Sequence, residues 1–320
     1  MKNIPSLFTF TPAIRNYVWG GRNLLPIAGL EAKKSNDPIA EVWALHEDNL
    51  VNSGIFYGRK LADLVAEYPN EILGTNVVEG QGTNRFPLLI KLLDCERWLS
   101  LQVHPNDEQA RQLEGPQFIG KTEAWHILNA RRDAQLIAGI KPNTSAGALH
   151  AAIGNEAILD LVEYHHVQTS DTVFVPAGTI HALGPGLLVY EVQQTSDLTY
   201  RVFDWNRPQS DGRVLHIEKS IAVTNPQSQG QITRRKSFGD AATSLVQCPY
   251  FHLEMLSAPQ KRDTHGESFH ALTVISGEAR IFTREGETLL HKFDTVLVPA
   301  ACGSYRLDGD FQILCSSSRN

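Results

Sequence analysis

Leu99-Ser100-Leu101-Gln102-Val103-His104-Pro105 is a short strand signal in which the polar residues alternate with the apolar ones. Successive side chains of an extended chain point to opposite faces, so Gln102 and His104 share one face and Leu101 and Val103 the other. Gly120-Lys121-Thr122-Glu123 follows, with a carboxylate two residues beyond a lysine. A second strand signal, Val173-Phe174-Val175-Pro176-Ala177-Gly178-Thr179-Ile180-His181, ends on another imidazole and leads on to Tyr200-Arg201-Val202-Phe203-Asp204-Trp205. An amide, two imidazoles and a carboxylate aimed into one barrel interior make a divalent-cation site, with Gln102, His104, Glu123 and His181 as its expected ligands.

The chain around these stretches has 320 residues, more than one domain usually holds, so two domains are expected. An apolar share of 42% provides real cores and excludes a disordered chain. A net charge of −6 without any basic arm argues against nucleic acid as a partner. An anionic substrate would then need a local cationic pocket. Met1-Lys2-Asn3-Ile4-Pro5 does not read as a signal peptide, and no apolar run reaches the ~18 residues that span a bilayer. Cys95, Cys248, Cys302 and Cys315 are far apart, so buried, reduced thiols in a cytoplasmic protein are expected.

In chain order, residues 6–60 read as short strands, Leu61 to Leu73 as helix stopped by Gly74, and Phe86 to Leu93 as a buried strand carrying one lysine, Lys91. That lysine either snorkels to a surface or meets an anion. Asn106 caps a helix from Asp107, and Ala124–Leu128 pairs as a hairpin with Ala134–Ile140 across Arg131-Arg132-Asp133. Residues 145–164 have helical composition, and strands resume from 167 to about 223. The polar stretch Asn225 to Gln231 is the linker candidate, beyond which short strands recur at 251–256, 269–275, 279–283, 295–298 and 311–315. Asp171 to Gly178 resembles Asp294 to Ala301, which implies two related barrels. Ser304 and Tyr305 stand in the second where the first has His181.

Together the segments resemble the cupin superfamily. More narrowly they resemble the type I mannose-6-phosphate isomerases in their short bacterial form, through Gln102-x-His104-Pro105, Gly120-Lys121-Thr122-Glu123, Val175-Pro176-Ala177-Gly178-Thr179-Ile180-His181 and Glu191-x-Gln193-Gln194-x-Ser196-Asp197-x-Thr199-Tyr200-Arg201. Trp19-Gly20-Gly21 and Pro38-Ile39-Ala40-Glu41 fit the same layout. The resemblance implies a mainly-β fold of two cupin (jelly-roll) barrels with a small inserted helical segment. Residues 1–230 would form the catalytic barrel, with helical insertions at about 106–114 and 145–165, and residues 231–320 a cupin-like barrel without metal ligands. It implies one zinc ion, or another divalent ion, on Gln102, His104, Glu123 and His181. Arg201 would be the essential arginine, Lys121 would lie beside the substrate, Glu191 in the polar pocket, and Ser100 and Lys91 at the sugar phosphate.

The implied activity interconverts mannose 6-phosphate and fructose 6-phosphate through an enediolate. A divalent cation and Arg201 would stabilise its charge, and Lys121 would move the proton. Glu191, His126 and a metal-bound water remain open as the base. Two rivals come from other classes: an Fe(II) oxygenase on the same two histidines and carboxylate, and a non-catalytic sugar-phosphate-binding cupin. The expected partner is a small sugar phosphate, with no nucleic acid and no membrane, in a monomer or homodimer. Each site residue also has an ordinary reading: a structural histidine, a solvated Lys121, or Arg201 paired with Asp197 or Asp204. His165-His166 reads as a helix end where cations suit the dipole, and Arg234-Arg235-Lys236 as a solvated face. His265 and His270 sit in the second barrel without matching ligands, and nothing in the spacing singles out His46 or His126.

Overall fold

The computed structural model describes residues 4–27, 37–81, 84–208, 213–234 and 240–318. It is mainly β, with antiparallel strands gathered in sheets of nine, seven and five strands. The jelly-roll layout is as expected, but each sheet ends on edge strands rather than closing into a barrel. By its contacts the chain divides into two compact units. One comprises Met1–Ala13, Trp43–Ile90 and Lys236–Asn320, and the other Ile14–Val42 and Lys91–Arg235.

The second unit carries the candidate residues. Its five-strand sheet runs in the order Tyr200–Phe203, Leu101–Val103, His181–Leu183, Gln135–Ile140, Val162–His166. The seven-strand sheet has the order Gln231–Thr233, Thr172–Val175, Glu123–Ala130, Leu187–Gln194, Leu88–Cys95, Glu41–Leu45, Ala13–Arg15. One apolar cluster joins the inner faces of the two, with Leu93, Trp125, Ile127, Val173, Val175 and Val189 from the longer sheet against Leu136, Ala138 and Leu183. The alternate residues Leu101, Val103, Ile137, Ala182 and Val202 pack on the other face, against Leu149, Ala152, Ile158 and Val223 of the helical segments. Both faces of the five-strand sheet are therefore buried. On the strand Leu101–Val103 the apolar residues turn outward to the helices, and this leaves Gln102 and His104 aimed into the sandwich. Each fully buried leucine or isoleucine of that outer coat contributes about 2 kcal/mol.

The helix Asp107–Glu114 begins as expected. Asn106 and Gln109 exchange side-chain-to-backbone hydrogen bonds of 2.9 and 3.0 Å in a capping box. Elsewhere the structure corrects the sequence reading. Strands Glu123–Ala130 and Gln135–Ile140 are consecutive but not paired, since the turn at 131–133 carries the chain from one sheet to the other. The helical insertion stops early. Ala146–Ala152 and Glu156–Asp160 are helical, whereas Val162–His166 is a strand in which half-buried Glu163 and His165 alternate with exposed Tyr164 and His166. His165 and His166 thus stand at no helix end. Ile217–Val223 is a helix instead of the last of a run of strands.

In the first unit a nine-strand sheet is built around Ser304–Ser318 and His270–Thr283. The latter is one strand where two were expected. A register shift between Val274 and Ser276 absorbs the irregularity, and Gly277 takes φ +68 with no room for a Cβ, which would lie 2.0 Å from Asp310 O. The repeat is real at the level of hydrogen bonds. Asp171 Oδ2 accepts from Gln168 N at 2.9 Å and Asp294 Oδ2 from His291 N at 2.8 Å. The residue before each aspartate, Ser170 or Phe293, has φ +74. Four residues after each aspartate, Val175 pairs with Glu123 and Val298 with His270. Of the basic run, Arg235 and Lys236 lie outside the described residues, while Arg234 donates to His166 O at 3.0 Å. All four cysteines are buried and unpaired, and no helix among the described residues is long and apolar enough to cross a membrane.

Candidate active site

Register puts three side chains in a row across the five-strand sheet, because Gln102 pairs with His181 on one side and Arg201 on the other. Cross-strand neighbours of this kind stand about 5 Å apart at Cβ. His104 follows two residues after Gln102 on the same face, and its ring centroid is 4.7 Å from that of His181. Its carbonyl accepts from Gly178 N at 2.8 Å, a contact made by the Pro-Ala-Gly bend, where Gly178 adopts φ +85. Glu123 arrives from the facing sheet, as the first residue of its strand. The segment before it is pinned by Thr122 N, which donates to Gln194 Oε1 at 2.9 Å, and by Gly120 N, which donates to Asp107 Oδ1 at 2.7 Å.

His104, Glu123 and His181 are each within 1% of full burial, and one ligating atom of each lies within 4.8 Å of the others. His104 Nδ1 is 2.8 Å from Leu198 O and His181 Nδ1 is 2.9 Å from Thr179 O. A carbonyl only accepts, so both Nδ1 atoms carry the proton and both Nε2 lone pairs face the cluster. Burial holds both imidazoles neutral, with His104 well below the usual range and His181 down to about 3. Burial pushes the Glu123 carboxyl up to about 7 against the pull of Lys121. Its oxygens make ionic contacts but have no aligned hydrogen-bond donor. Two neutral imidazole nitrogens and an orphaned carboxylate, all dry, are the donor set that a divalent ion takes. Gln102 sits beside them with its amide nitrogen, as oriented, 3.2 Å from His181 Nε2. A half-turn of the amide would present its oxygen there instead.

A cavity of about 220 Å³ adjoins the cluster within the same unit; its lining includes Gln102, Ser100, Lys121, Lys91, Glu191 and Arg201. Lys121 precedes its strand rather than lying in it, yet is 4% exposed, with Nζ 2.7 Å from Glu123 Oε2 and 2.9 Å from His104 Nε2. The solvated-lysine reading is thereby removed. Lys91 meets anions, as one of its two readings required: Glu191 Oε1 at 3.1 Å and Glu41 Oε2 at 3.6 Å. Burial works against its charge, but those two carboxylates hold the ammonium above its ordinary range. Burial would likewise raise Glu191, and Lys91 with Lys121 overcomes it and holds that carboxyl below the usual range. Trp125 Nε1 donates to the same carboxylate at 2.9 Å. Ser100 is 3.4 Å from Gln102 Oε1. Arg201 is half-buried, and burial with the nearby Arg213 lowers its pKa. Two nitrogens of Arg213 hold Asp204, each at 2.7 Å.

His126 is buried and points to the opposite face of the Glu123 strand, where its Nδ1 lies 2.9 Å from Thr172 Oγ1. Alternation along that strand takes it away from the cavity. Sequence reasoning gave no site role to Glu41, Tyr17, Asp197, Thr199 and Arg213, all of which line the cavity. Glu41 had a signal, a lone carboxylate in the apolar run Ile39 to Leu45. Asp197 and Thr199 stood inside a quoted motif, and nothing local marks Arg213.

Comparison with known proteins gives concordant results. The sequence model for the phosphomannose isomerase type I catalytic domain matches residues 7–121, and that for the mannose-6-phosphate isomerase cupin domain matches residues 241–318. The first range takes in Gln102, His104 and Lys121 and ends before Glu123. Mannose-6-phosphate isomerase ManA of Bacillus subtilis (strain 168) is 32% identical over 317 residues, 96% of this chain and 97% of that protein. A mannose-6-phosphate isomerase of Streptococcus mutans serotype c is 32% identical over 94% of this chain and 95% of its own length. The crystal structure of the mannose 6-phosphate isomerase from Bacillus subtilis superposes with a TM-score of 0.85 at 30% identity, covering 98% of this chain and 99% of that one.

Proposed function

The chain belongs to the type I mannose-6-phosphate isomerase family, and on that premise we propose that it interconverts mannose 6-phosphate and fructose 6-phosphate. In this reading His104, Glu123 and His181 would hold one zinc ion, and Gln102 would join them once its amide turns. Filled-shell zinc accepts such nitrogen and oxygen donors. When bound, it supplies Lewis acidity that polarises a substrate oxygen without redox chemistry. The observation that carries the reading is the dry His104–Glu123–His181 triad beside a cavity whose wall bears Lys121, Lys91 and Arg201.

Isomerisation moves a proton between C2 and C1 of the sugar, and the negative charge of the enediolate has to be held while it moves. Lys121 is our candidate to carry that proton, a reading supported by its contact with Glu123 at 2.7 Å and by its place in the cavity lining. Arg201 adds fixed positive charge opposite it, on the sheet that also carries Gln102. Ser100 and Lys91 hold the phosphate end, with Glu191 and Glu41 fixing where the Lys91 ammonium stands. The same two histidines and carboxylate would serve an Fe(II) oxygenase. The three cationic side chains and the family membership favour the isomerase. We assign the reaction to the cytoplasm, in keeping with four unpaired, buried thiols. The test is a coupled assay for fructose 6-phosphate formed from mannose 6-phosphate, with metal content measured on the same sample. Turnover in step with bound zinc supports the reading, and metal-replete protein that leaves the sugar phosphate unchanged refutes it.

A further inference from the structure

Lys121 stands where the triad would be expected to stay open. Its ammonium is 2.9 Å from His104 Nε2 and 2.7 Å from Glu123 Oε2, two ligand atoms that are themselves 3.5 Å apart. The single lone pair of a neutral imidazole nitrogen serves one partner at a time, so the His104 Nε2 that accepts from Lys121 is not available to a metal. With metal–ligand bonds of about 2.1 Å, an ion bonded to His104 Nε2 lies within about 5 Å of the ammonium, and one also bonded to Glu123 Oε2 within about 3.5 Å. Two positive centres at that range in a dry site repel strongly.

We propose that the Lys121 ammonium is the built-in counter-cation of the His104–Glu123–His181 cage, and that a divalent ion entering the cage expels it from Glu123 toward the cavity. The inference rests on the metal reading above and extends it. Before loading, the ammonium keeps a fully buried carboxylate neutralised and in register. On loading, the same side chain is released toward the cavity that it already lines, so the event that completes the metal site also delivers Lys121 to the substrate side. A lysine that merely neighbours the site would make no such exchange.

The experiment titrates zinc into the full chain, stripped of metal, against a chromophoric competing chelator, for the natural protein, Lys121→Met and Lys121→Arg. Removal of the competing charge in Lys121→Met is expected to tighten zinc binding by at least about tenfold, and the charge-retaining Lys121→Arg to leave it no tighter than in the natural protein. Metal-free Lys121→Met should also melt below the metal-free natural protein, because Glu123 has lost its counter-charge, and should gain more in melting temperature when zinc is added. If Lys121→Met does not fold without metal, Lys121→Gln is measured in its place. Zinc affinity in the neutral variants equal to or below that of the natural protein overturns the counter-cation and leaves the metal reading standing. A natural protein that binds no zinc overturns both.

Discussion

Glu191→Gln should cost the protein several kcal/mol while hardly changing its shape. Glutamine is nearly isosteric and its side-chain oxygen can still accept from Trp125 Nε1, which donates at 2.9 Å to the native carboxylate. What disappears is the charge opposite Lys91, a side chain 4% exposed with its ammonium 3.1 Å from Glu191 Oε1. At an effective dielectric of about 20, a pair at that separation interacts by about 5 kcal/mol, and the same estimate for Glu41 at 3.6 Å is about 4.5 kcal/mol. Glu41 therefore retains roughly half of the ammonium's compensation, and a loss of about 3–4 kcal/mol is expected, within the range for breaking one partner of a buried pair. The measurement is urea unfolding of the natural protein, Glu191→Gln, Lys91→Met and the double variant. Deleting the lysine leaves two buried carboxylates facing each other, so Lys91→Met should also be severe. The double variant should be more stable than the sum of the single losses predicts, by at least about 2 kcal/mol. Additivity within about 0.5 kcal/mol would show that the two side chains do not compensate each other, and the account of the cavity wall would be wrong.

His104→Ala and His181→Ala should each lose bound metal and turnover together, as read by elemental analysis and the coupled assay; an active, metal-free variant would refute the triad. Arg201→Ala should lower turnover by about 100-fold or more with metal content and melting temperature unchanged, and loss of the fold would instead make the arginine structural. His270, half-buried with Nδ1 2.8 Å from the Tyr305 hydroxyl, has its pKa lowered to about 4 by desolvation and then by Arg262. Its unfolded state binds the proton first, so stability is complete above about pH 6.5 and falls as pH drops toward 4, by about 3 kcal/mol in all. His270→Gln should remove that portion of the acid slope in urea unfolding between pH 7 and pH 4. An unchanged slope would show that the imidazole is not held neutral.

Strand alternation alone put Gln102 and His104 on one face, and the bend of Pro176 to Gly178 stood ahead of His181. Their convergence with Glu123 on one ion was legible only through the family resemblance, since the residues come from two different sheets. The same resemblance named Lys91, Ser100, Lys121, Glu191 and Arg201 for the pocket they line. It did not name the ion pairs of Lys91 with Glu191 and Glu41, which form through the order of three strands far apart in the chain that no window of sequence contains. A similar reason explains the misread strand pairing across the turn at 131–133. Three residues between two strands look the same whether the strands pair or part, and only the partners of each strand decide. Val162–His166 was absorbed into a helical reading by its neighbours, although Val162 and Tyr164 are residues that strands favour. Arg213 had no local sign. Its place depends on a carboxylate, Asp204, nine residues earlier.

The matching corners at Gln168–Asp171 and His291–Asp294 bear on how such a molecule changes over time. Both keep the same aspartate latch and the same left-handed residue, even where that residue is phenylalanine, which takes such a backbone only at a cost. Yet the position opposite the valine holds Glu123 in one half and His270 in the other, and six residues past that valine stand His181 and Ser304. The same latch is compatible with different residues at the facing positions. A duplicated half could thus shed its ligands by single replacements without first having to reinvent its turns, and a relative that had regained them would be expected to carry the same latch unaltered.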